Sequence, residues 1–347
     1  KLMSAKDKII EIINKDSFIS LEEFMSVSLH DKDYGYYRTK DPIGVHGDFI
    51  TSPEISQLYG EMLGLWLSHQ IISKGIKKLN LIELGPGKGT LMSDIMRTLD
   101  KSVKIKVLIN LHFLENNISF NKKLTKLFPS ANFHSDIKTM PDGYSIYIAN
   151  EFFDALPITQ ITKENNLLKY AVVKSDKPNC FYKEFINIKD NDSKFYLPSN
   201  LNLKNGDIYE FSKEADSILN TIAKKIKDSN GLFLFTDYGY KNLKFKNTLS
   251  AMQNNRVTNF FDNIGTQDLT SHVNFDNIKI KLENQGIKNI RFMTQSQFLK
   301  EMGIELRASK LIESNPMNEE SIMIGLNRLI ALDQMGSLFK VIFTEYN

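Results

Sequence analysis

Residues 79–90 read Leu-Asn-Leu-Ile-Glu-Leu-Gly-Pro-Gly-Lys-Gly-Thr, and few folds accommodate such a stretch. The apolar run Leu79–Leu84 has room for little but a buried strand. It ends in an acid and a glycine-rich turn. The periodic run Leu91-Met92-Ser93-Asp94-Ile95-Met96 then reads as a helix. Strand, tight turn and helix bring a nucleotide-like ligand against a helix N-terminus. The details narrow the ligand. A phosphate-cradling loop needs Gly-Lys-Ser/Thr after four spacers, and Lys88 is followed by Gly89. A dinucleotide fingerprint needs its third glycine where Thr90 stands. What remains is Glu-x-Gly-x-Gly-x-Gly, with Glu83 two residues before Gly85. An acid there repels a pyrophosphate but suits a ligand bearing an ammonium and a sulfonium. Gly85, Gly87 and Gly89 let backbone approach that ligand where a Cβ would intrude. The bland alternative is an ordinary strand-to-helix turn.

The rest of the chain supplies the context. Residues 1 to about 30 read as two helices, from the spacing of Ile9, Ile10 and Ile13 and of Leu21, Phe24 and Met25. Ser20 and Glu23 match a capping box. A polar loop punctuated by Gly and Pro covers 38–53, and one helix is predicted from about 54 to 73. Strands are expected at 79–84, 105–114, 131–134, 145–149 and 232–236, with helices at about 90–99, 117–127 and 210–228. An insertion of mixed strand character fills about 158–200. Two late apolar segments, 287–292 and 338–343, read as final strands, the last pairing antiparallel. This order predicts an α/β fold with a doubly wound sheet and ligands at the carboxyl ends of its strands. The expected organisation is an N-terminal helical segment and lid over 1–75, then a Rossmann-like domain over 76–347 with insertions at about 158–205 and 240–335.

Bulk properties exclude several classes. With 347 residues and 41% hydrophobic content the chain can bury a substantial core. A net charge of +3 gives no reason to expect nucleic acid as a partner. The single cysteine, Cys180, rules out an internal disulfide and a Cys-rich metal site, points to a reducing compartment, and leaves no metal expected. No apolar run reaches membrane-spanning length, and the residues from Lys1 show no signal-peptide pattern.

Polar residues close five predicted strands: Glu83, Glu115, Asp136, Asn150 with Glu151, and Asp237. Each is also a common turn former. Glu115 stands where an acid accepts hydrogen bonds from both ribose hydroxyls in this fold class, or else favours the next helix N-terminus. Asp136 stands where a carboxylate takes an adenine amino group, or makes an Asx turn. In the run Asn150-Glu151-Phe152-Phe153-Asp154-Ala155-Leu156-Pro157, two carboxylates and two aromatics can hold a cation while excluding water. A guanidinium is such a cation, and bidentate carboxylates would localise its charge away from the reacting nitrogen. Helix capping by Asn150 or Asp154 is the alternative. His272 is a candidate base or substrate clamp, although a lone His beside Val is more often structural. The run from His46 through Asp48 to Thr51 reads as part of a lid over 34–56, with Asp48 or Thr51 facing the ligand and Gly44 and Gly47 as hinges.

Taken in order, Tyr34-Gly35-Tyr36-Tyr37, Gly47-Asp48-Phe49-Ile50-Thr51-Ser52-Pro53-Glu54, the Glu83–Met92 loop, Asn150–Pro157, Asp237-Tyr238-Gly239 and Asp268–Val273 resemble the MidA-like methyltransferases. That family includes the mitochondrial complex I assembly arginine methyltransferase and bacterial relatives. The resemblance runs from about residue 20 to the C-terminus. It implies a class I methyltransferase fold, S-adenosylmethionine as cofactor, and, in mitochondrial members, symmetric dimethylation of an arginine on a core subunit of respiratory complex I. The location implied is bacterial cytoplasm, or the mitochondrial matrix in a eukaryote. The chain departs from the family at Ser250–Arg256, where an Arg-Gly-aromatic type motif is usual. If that loop touches substrate, the departure bears on substrate identity and on activity itself. Two further readings compete: a cofactor-binding assembly chaperone with little turnover, and a methyltransferase acting on a small molecule.

Overall fold

A computed structural model describes residues 3–39, 50–103, 106–177, 180–188, 201–242 and 245–345. Seven strands form the path of the central sheet: β1 (Lys78–Leu84), β2 (Leu108–Leu114), β3 (Asn132–His134), β4 (Ser145–Asn150), β5 (Leu232–Tyr240), β6 (Ile290–Thr294) and β7 (Phe339–Thr344), and a short eighth strand, Val273–Asn274, pairs with the end of β5. Their spatial order is β6-β7-β5-β4-β1-β2-β3. The five strands from β5 to β3 are parallel, while β7 runs antiparallel to both β5 and β6. The chain leaves β1 toward β2 and later returns to β4 on the other side, so a topological switch point lies between β1 and β4.

Alternation along each strand sorts side chains to two faces. Leu81, Ile146, Ile148, Leu234 and Phe343 meet α3 (Gln57–Lys74) and α4 (Thr90–Ser102), through Trp66, Leu67, Ile95 and Leu99. Ile82, Tyr147, Phe233, Phe235 and Ile342 face the other way. They meet α6 (Lys213–Ser229) and α7 (Phe275–Asn284), through Ile222, Ile226, Ile278 and Leu282. Burial on both faces is why these strands read as nearly continuous apolar runs. On the edge beside β2, α5 (Ile118–Leu127) contributes Phe120 and Leu124.

The insertion builds its own antiparallel sheet from Thr159–Glu164, Leu167–Lys177, Cys180–Asn187 and Ile208–Phe211. The N-terminal helices α1 (Ala5–Asp16) and α2 (Leu21–His30) share a core with it: Ile9, Phe24 and Leu29 pack with Ile158, Ala171 and Val173. Ser20 Oγ accepts the Glu23 N–H at 3.1 Å at the start of α2. After β6 come α8 (Gln295–Glu301), α9 (Ile304–Ser314) and α10 (Glu319–Ile330), with Leu299, Ile304 and Leu329 buried against the α3 side. No helix among the described residues is long and apolar enough to cross a membrane.

Two expectations need correction. The helix predicted over 54–73 is a one-turn helix, Ser52–Ile55, followed by α3; Ser56 is extended (φ −160°) and caps α3. Apolar periodicity ran through the break because the turn and α3 bury the same side. The strand predicted to end at 236 continues to Tyr240, because Tyr238 pairs with Phe339 and Gly239 with Val273.

Candidate active site

Register brings the candidate residues together. Leu84 pairs with Leu114 on one side and Ala149 on the other, so Gly85, Glu115 and Asn150 emerge side by side. A cavity of about 380 Å³ opens there, within the range of small-molecule sites. Thr51, Glu83, Gly85, Gly87, Glu115, Asp136, Asn150 and Glu151 all line it. Asp48 lies outside the described residues, as do the predicted hinges Gly44 and Gly47 and the rest of 40–49 within the segment read as a lid. Its flanks, Arg38 and Thr51 with Glu54, line the cavity.

The glycine loop divides in function. Gly85 and Gly87 turn with φ of 64° and 52° and line the cavity. Gly89 (φ 81°) caps α4 and faces the other way: a Cβ there would lie 2.7 Å from Leu124 Cδ2 on α5. Its role is helix packing. With glycine as cap, Gly89 offers no side chain to the first N–H groups of α4, the arrangement that receives polar ligands.

Two carboxyls share the cofactor-loop end. Glu115 accepts from the Asn117 N–H at 2.8 Å and the Gly87 N–H at 3.3 Å. Burial still pushes it up to about 7. Glu83 is deeper, 2% exposed. Burial, with Glu115 beside it, pushes its carboxyl up to about 8. Among the described residues no donor reaches Glu83 Oε2, so the cavity wall holds an unsatisfied carboxyl fitted to a cationic ligand. Asp136 is exposed; its Oδ1 accepts the Lys138 N–H at 2.9 Å, so one oxygen makes an Asx turn.

The far end is built by the loop after β4. Glu151 has φ of 52°, uncommon for a glutamate. Its Oε1 accepts from the Ser52 N–H at 2.9 Å and from Asn150 Nδ2 at 3.1 Å. Burial lifts the carboxyl to about 7 against these donors. Asn150 Oδ1 in turn accepts from the Tyr59 hydroxyl at 2.6 Å. Asp154 is buried behind this wall and does not line the cavity. It neighbours Asp237 and Asp268, and burial followed by those charges pushes it up. Asp237 accepts the N–H groups of Phe153, Asp154 and Tyr238. It therefore fastens the loop and is not a strand-end ligand group. Among the described residues Asp154 Oδ1 has no donor.

His272 stands further off. Its N–H donates to Thr248 Oγ1 at 2.9 Å and its ring lies edge-on to Tyr238 at 5.2 Å. It does not line the cavity. The departing segment 250–256 forms a hairpin, Ser250–Gln253 with Arg256–Thr258, turning through Asn254 and Asn255 at positive φ. It too lies off the cavity wall.

Sequence reasoning missed His30, and it gave Tyr37, Arg38 and Glu54 no role beyond lying in the predicted lid; all four line the wall, as does Phe152. His30 stacks on Tyr37 at 5.6 Å and bonds the Ala155 carbonyl at 3.0 Å. Arg38 Nη1 donates to the Asn116 carbonyl at 2.6 Å. The Tyr34-Gly35-Tyr36-Tyr37 run was the available signal.

A family model described as "Putative S-adenosyl-L-methionine-dependent methyltransferase" matches residues 62–293, well over half of the chain. The chain belongs to this methyltransferase family. It is an S-adenosyl-L-methionine-dependent methyltransferase. Among curated proteins it is similar to the mitochondrial protein arginine methyltransferase NDUFAF7 of Xenopus laevis, 32% identical, covering 93% of this chain and 80% of that one. The Caenorhabditis elegans homologue is 28% identical, covering 96% and 84%. Among solved structures, a Burkholderia thailandensis protein bound to S-adenosyl-homocysteine superposes with a TM-score of 0.83 at 20% identity, covering 99% of this chain and 91% of that one. That likeness bears out the class I methyltransferase fold.

Proposed function

We propose that this methyltransferase acts on arginine presented by a partner protein, with Glu151 as the residue that receives the guanidinium. The observation that carries the reading is the placement of Glu151: a half-buried carboxyl on the cavity wall, on a left-handed backbone, next to Asn150 at the switch point. The names of the curated relatives support the substrate class.

The residues present fit the cofactor. The glycine turn offers close backbone approach at Gly85 and Gly87. Glu83 offers an unsatisfied carboxyl to positive charge. Glu115 is placed for ribose hydroxyls, Asp136 for an adenine amino group, and Thr51 and the 34–56 segment for a cover. When bound, S-adenosylmethionine supplies an electrophilic methyl on a sulfonium. The chain's own work is at the acceptor. Arginine is protonated in water, with pKa above ~12, and a nitrogen lone pair must be aimed at the methyl. Glu151, aided by Asp154 behind it, would hold the other guanidinium nitrogens and concentrate the charge there. Methylguanidinium keeps one positive charge, so one proton leaves. A carboxyl poised near 7 is matched to take it. Alignment supplies much of the rate, and no covalent intermediate with the chain is needed.

By resemblance, the acceptor is a subunit of respiratory complex I, met in the mitochondrial matrix or the bacterial cytoplasm. Incubating the protein with tritium-labelled S-adenosylmethionine in native lysate separates the readings. Label recovered as methylarginine in protein supports this one. Label only in small molecules supports a small-molecule enzyme, and cofactor binding without transfer supports an assembly chaperone.

A further inference from the structure

Glu151 keeps a backbone conformation that a glutamate adopts only where its surroundings hold it. Its N–H donates to the Thr236 carbonyl at 2.9 Å, and its carboxyl is held by a chain of polar groups reaching well outside the cavity. The Tyr59 hydroxyl on α3 donates to Asn150 Oδ1 at 2.6 Å, leaving the Asn150 amide nitrogen to donate to Glu151 Oε1 at 3.1 Å. From the other side the Ser52 N–H donates to the same oxygen at 2.9 Å. Ser52 Oγ donates to Gln295 Oε1 at 3.4 Å, and Gln295 Nε2 donates to the Leu329 carbonyl of α10 at 2.9 Å. Ser52, Tyr59 and Gln295 are each 0% exposed, and none of them lines the cavity.

The helical turn Ser52–Ile55 is clamped at its other contacts as well. Thr90, the first residue of α4, donates to Glu54. On the outer side α10 presents Gly325, where a Cβ would lie 3.2 Å from Ser56 Cβ. The turn is thus tied to the glycine loop, to the loop after β4 and to the C-terminal helices. Gln295 thus joins a carbonyl near the end of α10 to the Ser52 hydroxyl, so removing its amide leaves a buried partner unsatisfied at each end.

We infer that Tyr59 and Gln295 are positioning residues for methyl transfer, acting through Asn150 and Ser52 to fix the Glu151 carboxylate at the transfer end of the cavity. This rests on the reading of Glu151 given above. Neither side chain touches the acceptor. Their effect is on geometry and on ionisation, because an N–H donating to Glu151 Oε1 favours its charged form. The groups that face Glu151 are Asp154 in its own loop, Asp237 on β5, Asp268 in the strand Asp268–Thr270, Tyr59 on α3 and Arg328 on α10. Arg328 favours the carboxylate, while Asp268 disfavours it. Weakening the Ser52 arm therefore raises the pH at which Glu151 ionises.

The test compares intact wild type, Gln295→Leu, Tyr59→Phe and Glu151→Gln, with tritium-labelled S-adenosylmethionine and the peptide acetyl-Gly-Arg-Gly-amide as acceptor probe. Gln295→Leu should keep S-adenosyl-homocysteine affinity, lower kcat by roughly tenfold to a hundredfold, and move the acid limb of the pH–rate profile upward. Tyr59→Phe, which keeps ring and volume, should lower kcat in the same sense. Loss of thermal stability with wild-type kcat and an unmoved pH profile in both variants, while Glu151→Gln is inactive, overturns the inference. A wild type that makes no methylarginine on the peptide or on protein in native lysate, or a fully active Glu151→Gln, rejects the arginine reading itself, and the inference falls with it.

Discussion

Glu83→Gln should make the ligand-free protein more stable while weakening its hold on the cofactor. The Glu83 side chain is 2% exposed, and burial lifts its carboxyl from 4.5 to about 8. A carboxyl raised on folding takes up a proton, so its contribution is intact below 4.5 and is lost as pH rises toward 8. From 4.5 to pH 7 each unit is worth ~1.4 kcal/mol, which makes the penalty about 3 kcal/mol at pH 7 and less than about 1 kcal/mol at pH 5. Glutamine has the same shape and no proton to take up. In a chain of this size that relief should raise Tm by roughly 5 °C near pH 7 and far less at pH 5. Differential scanning calorimetry of both proteins at pH 5, 7 and 8 reads the difference. Comparing variant with wild type cancels the other raised carboxyls, Glu151 and Asp154 among them. The penalty is the reserve that a cationic ligand would relieve, so calorimetric titration should show weaker binding of S-adenosylmethionine to Glu83→Gln. A variant less stable than wild type at pH 8, or a difference that does not change with pH, would refute the reasoning.

Gly87→Val should fold and fail to bind S-adenosylmethionine, because its φ of 52° disfavours a branched residue and the added side chain would stand on the cavity wall; a folded variant with unchanged affinity by calorimetry would count against it. Glu115→Ala should weaken binding by roughly 1–3 kcal/mol, the usual cost of losing hydrogen bonds to a charged group. Unchanged titration curves would move the ribose contact elsewhere.

The doubly wound section was legible because strand, turn and helix signals there are local. Leu79–Leu84 allowed little but a buried strand, and the polar residues after β1, β2, β3 and β4 sit where such a sheet holds ligands. What was not legible depended on distant partners. Nothing near Asp237 shows that Phe339 and Val273 extend its strand, or that it accepts the N–H groups of Phe153 and Asp154 from a loop over 80 residues away. Gly89 looks like its neighbours in sequence; only the approach of Leu124 separates it from them. Tyr37 and Arg38 reach the cavity because α2 packs on the insertion sheet, which no local pattern encodes. The break at Ser56 was hidden by apolar spacing that continues across it.

The central claim is that a partner protein's arginine meets the Glu151 carboxylate beside the methyl donor. It is tested most directly by mass spectrometry of candidate acceptor proteins, complex I subunits first, co-expressed with wild type or with Glu151→Gln. Glutamine keeps the shape and the Ser52 contact but removes the charge that holds the cation. The account predicts methylarginine on an acceptor with the wild type and its loss with Glu151→Gln, while cofactor binding persists. Methylarginine at wild-type levels in the Glu151→Gln sample would contradict it.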